Sequence, residues 1–192
     1  IRETLEAFES AFKDVPVADH RFRIEHSQNP AVEDIPRFSR LGVLPSMQPT
    51  HATSDMRWAE VRVGPDRIRG AYAWTQFLRS GSRIVGGSDF PIESEKPLWG
   101  LYAAVTRQDH EGKPEGGWRP MELLTREEAL RAFTLDAAYG AFEEKEKGSL
   151  EPGKLADFVV WSADLLTCPA RDLLKAEALL TVVGGETVFE RK

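Results

Sequence analysis

Three residues in this sequence pair a chemically useful side chain with an expected place near the end of a β-strand. His26 closes the extended run Arg21 to His26, and Asp89 closes the apolar run Ile84 to Ser88. His51 follows shortly after a third run, Val43 to Gln48. Imidazole nitrogen and carboxylate oxygen are both good zinc ligands, and a hydrolytic site needs few protein ligands plus an open position for water. A metal lowers the pKa of its bound water to about 7, and a neighbouring carboxylate can take the proton and later hand it to a leaving group. These residue types also have structural uses. A lone strand-end histidine is often just hydrogen-bonded, and an aspartate after Gly-Gly-Ser is as often a turn or cap residue.

The elements that would carry these residues alternate. Ile1, Leu5, Phe8 and Phe12 recur at helical spacing. After the Arg21–His26 run comes an Asn29-Pro30 turn, then a helix opening near Asp34, with Pro36 in its first turn and Gly42 as its stop. Val43 to Gln48 reads as a strand in which Pro45 argues for a bend or early ending. Pro49 to Gly64 reads as a long loop with a short helical piece around Met56 to Val61. Asp66 to Ser80 reads as one helix with Ala71, Trp74, Phe77 and Leu78 on one face and Gly81 as its stop. The Ile84–Ser88 strand follows. Apolar strands joined by long crossovers predict a parallel sheet buried on both faces. In a parallel barrel the carboxyl ends of the strands line the active site.

Beyond Asp89, Pro97 to Thr106 predicts a helix, followed by a polar Gly-rich loop. Thr125 and Glu128 form a capping box that opens a helix running to Gly140. From Gly148 the texture changes. Ala156–Trp161, Leu179–Val183 and Thr187–Glu190 read as strands, the last two joined at Gly184-Gly185 in a hairpin. The expected division is therefore an α/β part, 1–147, and a small β part, 148–192.

Composition narrows the function classes. The chain has 192 residues, 41% of them hydrophobic, which suits a packed core. Its 31 acidic against 25 basic residues, net −6, offer no footprint for nucleic acid or an anionic membrane. No apolar run approaches the roughly 20 residues that span a bilayer. Cys168 is the one cysteine, so no internal disulfide or zinc ribbon is available, and it reads as a packing or surface residue. His20 and His110 are expected to be exposed, and the Glu143–Lys147 run is expected to be solvated. Trp58 and Trp118 lie on segments that could border a pocket.

The spelling of the motifs says more. Gly86-Gly87-Ser88-Asp89-Phe90-Pro91-Ile92-Glu93, followed by Pro97 through Arg107, closely resembles the YtcJ-like (amidohydrolase family 3) branch of the amidohydrolase superfamily. So do Arg23-Ile24-Glu25-His26, Pro45 through His51, Glu127 through Leu130, and Gly148 through Phe158, all in the family's order. The resemblance implies the C-terminal part of a (β/α)8 metal-dependent hydrolase barrel, strands six to eight, plus a small β-sandwich appendage. His26 then falls on the strand-six metal ligand, and Asp89 on the strand-eight ligand and general base. Gln48 and His51 fall by the pocket mouth as substrate-shaping residues, and Asp157 is structural.

The implied activity is hydrolysis of an amide or N-acyl C–N bond in a small molecule by metal-activated water. Zinc is the default metal, although iron, manganese or cobalt also suit such ligands. The family's His-x-His pair, bridging residue and strand-five histidine have no counterpart here. They are expected in an N-terminal part of the barrel before Ile1, so the chain alone is expected to bind metal poorly and to be inactive. Open sheet edges would then favour self-association. Cytoplasmic localisation is the default expectation. Two other readings stand beside this one: a non-catalytic remnant held by dimerisation, and an α/β binding protein in which His26 and Asp89 are structural.

Overall fold

A computed structural model describes residues 1–192 and contains two three-stranded sheets. The first is parallel, ordered β1 (Arg23–Glu25), β2 (Leu44–Met47), β3 (Val85–Gly86). The second is antiparallel, ordered β4 (Phe158–Trp161), β5 (Ala178–Val183), β6 (Glu186–Glu190). Eight helices accompany them: α1 (Arg2–Asp14), α2 (Ile35–Leu41), α3 (Pro49–Asp55), α4 (Ala59–Arg67), α5 (Trp74–Arg79), α6 (Pro97–Thr106), α7 (Arg126–Phe133) and α8 (Leu135–Gly140). The chain is thus an α/β structure with strand–helix crossovers between parallel strands. No helix is long and apolar enough to cross a membrane.

Local signals account for much of this. Helix α2 closes on Gly42 in the left-handed conformation (φ 69°), as its position in the sequence predicts. Helix α6 begins with Pro97, whose missing N–H costs nothing in a first turn. Helix α7 opens on the predicted capping box: Glu128 N–H donates to Thr125 Oγ1 and Thr125 N–H to Glu128 Oε2. Leu5 of α1 is fully buried, with Phe8 and Phe12 packed alongside.

Other expectations are corrected. Pro45 does not end its strand; it pairs with Ile24 in the middle of the sheet. Alternate residues of a parallel strand address opposite neighbours. Leu44 N–H bonds Phe22 of the β1 side, so Pro45 turns its nitrogen toward β3, whose pairing begins only at Ser46. Burial on both faces holds for β2, where all four residues are buried. It fails for β1, an edge strand with Arg23 and Glu25 exposed. The long loop expected from Pro49 is instead two helices, because Pro49 starts α3 directly after β2.

The single helix expected over 66–80 breaks after a 3₁₀ turn at Ile68–Gly70, and the left-handed Tyr72 (φ 49°) redirects the chain into α5. A similar break at Thr134 (φ −125°, ψ −89°) separates α7 from α8.

A cluster of 22 buried hydrophobic residues runs from Leu5 through Phe38, Trp74, Phe77 and Tyr102 to Leu173. Leu173 belongs to the 3₁₀ segment Ala170–Leu174, which packs on α6. The core is therefore continuous across residue 148. In the second sheet Asp157 accepts a hydrogen bond from Gly184 N–H (2.6 Å), pinning the β5–β6 turn.

The Glu143–Lys147 run is not simply solvated. Glu144 receives both guanidinium ends of Arg21 (2.7 and 3.0 Å), and that cation also lies over Tyr139 and Phe142. His20, expected in solvent, stacks on Phe12 (4.1 Å between centroids) and donates from Nε2 to the Leu41 carbonyl at the end of α2 (2.9 Å). These contacts hold the segment entering β1 against α1, α2 and α8.

Arg21 holds the Glu144 carboxyl down to about 2 through its hydrogen bonds. A carboxyl depressed in the folded state stabilises above its unfolded pKa and loses that contribution as pH falls through its folded pKa. Unfolding midpoints measured across the acid range should therefore drop between about pH 4.5 and 2. Part of that drop should vanish in Glu144→Gln. An identical acid profile in the variant would remove Glu144 from the account.

Candidate metal centre

His26 directly follows β1, and Asp89 lies three residues past β3, both at the carboxyl end of the parallel sheet. Both adopt left-handed backbone (φ 65° and 59°), as does Ser27 (φ 38°). Such conformations cost non-glycine residues of order 1 kcal/mol, and histidine and aspartate tolerate them better than most. The turn at His26 is fixed from below by the buried Ser27, whose hydroxyl donates to the Ile24 carbonyl (2.9 Å). The turn at Asp89 is held by the Ile92 N–H donating to the Asp89 carbonyl (2.8 Å).

His51 arrives from a different element. It lies in the first turn of α3, which starts as β2 ends, so the helix itself carries the imidazole to the same rim. His51 Nε2 is 3.2 Å from Asp89 Oδ2, and His26 Nδ1 is 4.0 Å from the same oxygen. One donor atom from each of His26, His51 and Asp89 lies within 4.8 Å of the others. The donor set, two imidazoles and a carboxylate at strand ends, suits a divalent metal such as zinc and leaves room for further ligands.

Gln48, expected at the pocket mouth, is buried, and its Oε1 lies 3.0 Å from His26 Nδ1. Trp58 is half exposed just beyond α3. Trp118, on a segment that could border a pocket, packs edge-on against Tyr72 (5.6 Å) and beside Arg107. His110 is exposed as expected, with its ring edge-on to Trp99 (4.4 Å). Cys168 is half buried and packs against the core.

Two features were not anticipated. Glu93 places Oε1 3.4 Å from His51 Nδ1 and is held by the Ser54 hydroxyl (2.7 Å), one turn along α3. Its position shortly after Asp89 in a motif rich in chemistry was the available signal. The second feature is a bonded trio behind the histidines: Gln28, Asp55 and the Tyr72 hydroxyl hydrogen-bond one another. Gln28 follows His26 on the same loop, and Asp55 ends the helix that carries His51. The trio therefore ties both histidine-bearing segments to the Tyr72 bend. Burial raises the Tyr72 phenol well above its ordinary pKa, and the Asp55 hydrogen bond adds to this, so it stays a neutral donor.

Arg107 backs the same bend. Fully buried, it donates to the Tyr72 carbonyl (3.0 Å) and the Trp118 carbonyl (2.6 Å), with its guanidinium over the Trp74 ring (4.3 Å). Burial pushes its pKa down to about 9, partly opposed by the charge of Glu122. A groove of about 830 Å³ lies elsewhere, between α6, α7 and the second sheet, and none of the three donor residues lines it.

The donors at the strand ends are ones that can hold a divalent metal, and the chain is similar to known metal-dependent hydrolases. The amidohydrolase family model matches residues 1–189, and the chain belongs to that family. It is 36% identical over 172 residues to the Arabidopsis thaliana protein LONG AFTER FAR-RED 3, covering 89% of this chain and 29% of that protein. It is 33% identical over 169 residues to the YtcJ protein of Bacillus subtilis (strain 168), covering 88% and 32%. It is 33% identical over 114 residues to the N-substituted formamide deformylase of Arthrobacter pascens, covering 59% and 20%.

Among solved structures, a metal-dependent hydrolase from Pyrococcus furiosus superposes with a TM-score of 0.70 at 31% identity, covering 85% of this chain and 31% of that one. A point mutant of the atrazine chlorohydrolase TrzN of Arthrobacter aurescens TC1, complexed with zinc and atraton, superposes with a TM-score of 0.60 at 26% identity, covering 90% and 37%. The chain spans about a third of the length of the first two relatives, LONG AFTER FAR-RED 3 and YtcJ.

Proposed function

We propose that the protein hydrolyses a C–N bond of the amide or N-acyl type in a small molecule, at a centre built on a divalent metal, with zinc the default. The observation that carries this reading is the convergence of His26, His51 and Asp89 within 4.8 Å at the carboxyl end of a parallel sheet. The formamide deformylase relative supports the bond type, and zinc in the TrzN complex supports the metal. On this reading β1 to β3 are strands six to eight of a (β/α)8 barrel. Residues 148–192 contribute to a small β-sandwich, and the remaining metal ligands and strands come from sequence before Ile1.

Bound metal would polarise the scissile carbonyl and lower the pKa of water to about 7. His26 and Asp89 would hold it. Asp89 would take the proton from the attacking water and return it to the amine as the C–N bond breaks. Gln48 spends its oxygen on His26, so its amide N–H groups are free to meet a substrate oxygen, and His51 flanks the same space.

The full-length natural protein should release amine from N-formyl or N-acyl substrates. Dialysis against a chelator should abolish that release, and added zinc should restore it. Chelator-insensitive turnover, or no turnover with any such substrate while zinc is bound, would overturn the proposal.

A further inference from the structure

His51 meets a carboxylate at each ring nitrogen, Asp89 at Nε2 (3.2 Å) and Glu93 at Nδ1 (3.4 Å). Two arrangements satisfy both carboxylates: an imidazolium donating from both nitrogens, or a ring that donates from one nitrogen and gives the lone pair of the other to a metal cation shared with the facing carboxylate. The second is the one a metal centre uses, and the side chain is only 13% exposed.

The surroundings say which nitrogen gives its lone pair. Glu93 is anchored by Ser54 on the same helix as His51, giving the ring a carboxylate acceptor for Nδ1–H from its own support. His26 repeats the arrangement. Its Nδ1 lies 3.0 Å from Gln48 Oε1 and 4.0 Å from Asp89 Oδ2, and a proton on Nδ1 donated to the nearer amide oxygen leaves Nε2 its lone pair. Histidines that ligate metals typically donate their other N–H to a carboxylate or carbonyl oxygen in this way.

We propose that His51 is an inner-sphere ligand of the divalent cation through Nε2, and that Glu93 and Gln48 are the outer groups that orient His51 and His26. The inference rests on the metal-dependent reading above and gives His51 more than a part in shaping the substrate space. Ligand atoms about 2.1 Å from a tetrahedral metal lie about 3.4 Å apart. The Asp89–His51 separation of 3.2 Å suits such an edge as well as it suits a hydrogen bond. The described chain thus offers three inner ligands, where the sequence alone offers two.

The test measures zinc affinity by competition with a chromophoric chelator, and the visible spectrum of the cobalt(II) form. Both are measured on the full-length natural protein and on its His51→Gln, Glu93→Gln and Asp89→Asn variants, with thermal unfolding as the control for folding. His51→Gln should weaken zinc binding by about 100-fold or more and change the cobalt bands, because an inner nitrogen is lost. Glu93→Gln should cost roughly 10-fold with the bands retained, as expected of an outer group. It also serves as the independent probe if His51→Gln does not fold.

Wild-type affinity and unchanged bands in His51→Gln, with metal lost from Asp89→Asn, would overturn the inference and leave the metal centre standing. No metal binding by the wild type, or full binding by Asp89→Asn, would remove the underlying reading as well.

Discussion

Asp89→Asn should lower kcat by about 10⁴-fold or more while leaving the melting temperature within a few degrees of the parent. The loss follows from two functions vanishing together. An amide oxygen is a weak metal ligand beside a carboxylate, and an amide cannot accept and return a proton at neutral pH. The fold should survive for equally specific reasons. Asparagine has the same shape and enters the left-handed region as readily as aspartate, so the φ of 59° is retained. The side chain is 32% exposed, so little packing is at stake. The measurement is steady-state hydrolysis by the full-length protein, paired with metal content and thermal unfolding. Turnover near the parent's would take Asp89 out of the chemistry.

The second large effect should come from a residue with no chemistry of its own. Gly70→Ala is expected to lower stability by about 3 kcal/mol, which for a chain of this size is a fall of roughly 10 °C in Tm. A Cβ at Gly70 would lie 1.9 Å from the Pro30 carbonyl oxygen, a backbone atom that no rotamer change can move. Either the 3₁₀ turn before Tyr72 retreats or the Pro30 loop does, and that loop begins at His26. Both ends of the movement therefore reach the metal centre, one through the loop itself and the other through the Gln28–Asp55–Tyr72 trio.

A misplacement of about 1 Å at a reacting group can cost around 100-fold in rate. Zinc affinity and kcat in Gly70→Ala should therefore fall together, even at temperatures where the variant remains folded. Differential scanning calorimetry and metal competition on the same sample separate the two effects. A variant as stable as the parent would show that the close approach at Gly70 is not kept in solution.

These two cases mark the boundary between what the sequence states and what the fold decides. Local rules were legible because their causes lie within a few residues. The Thr125/Glu128 capping box, the left-handed Gly42, Pro97 at a helix start and the hairpin at Gly184-Gly185 all stand where the sequence places them. His26 and Asp89 could be picked out as strand-end donors for the same reason, and family motifs gave them roles. The breaks at Gly70 and Thr134 were not legible, because helical spacing continues through both. The Gly70 break is enforced by the approach of the distant Pro30 loop.

Nor could spacing reveal that His51 reaches Asp89, 38 positions away, that Glu93 backs it, or that Gln28, Asp55 and Tyr72 bond together. Periodicity describes one element at a time. Which side chains converge depends on how β1, β2 and β3 register and on where α3 begins, and those are settled by packing across the whole chain.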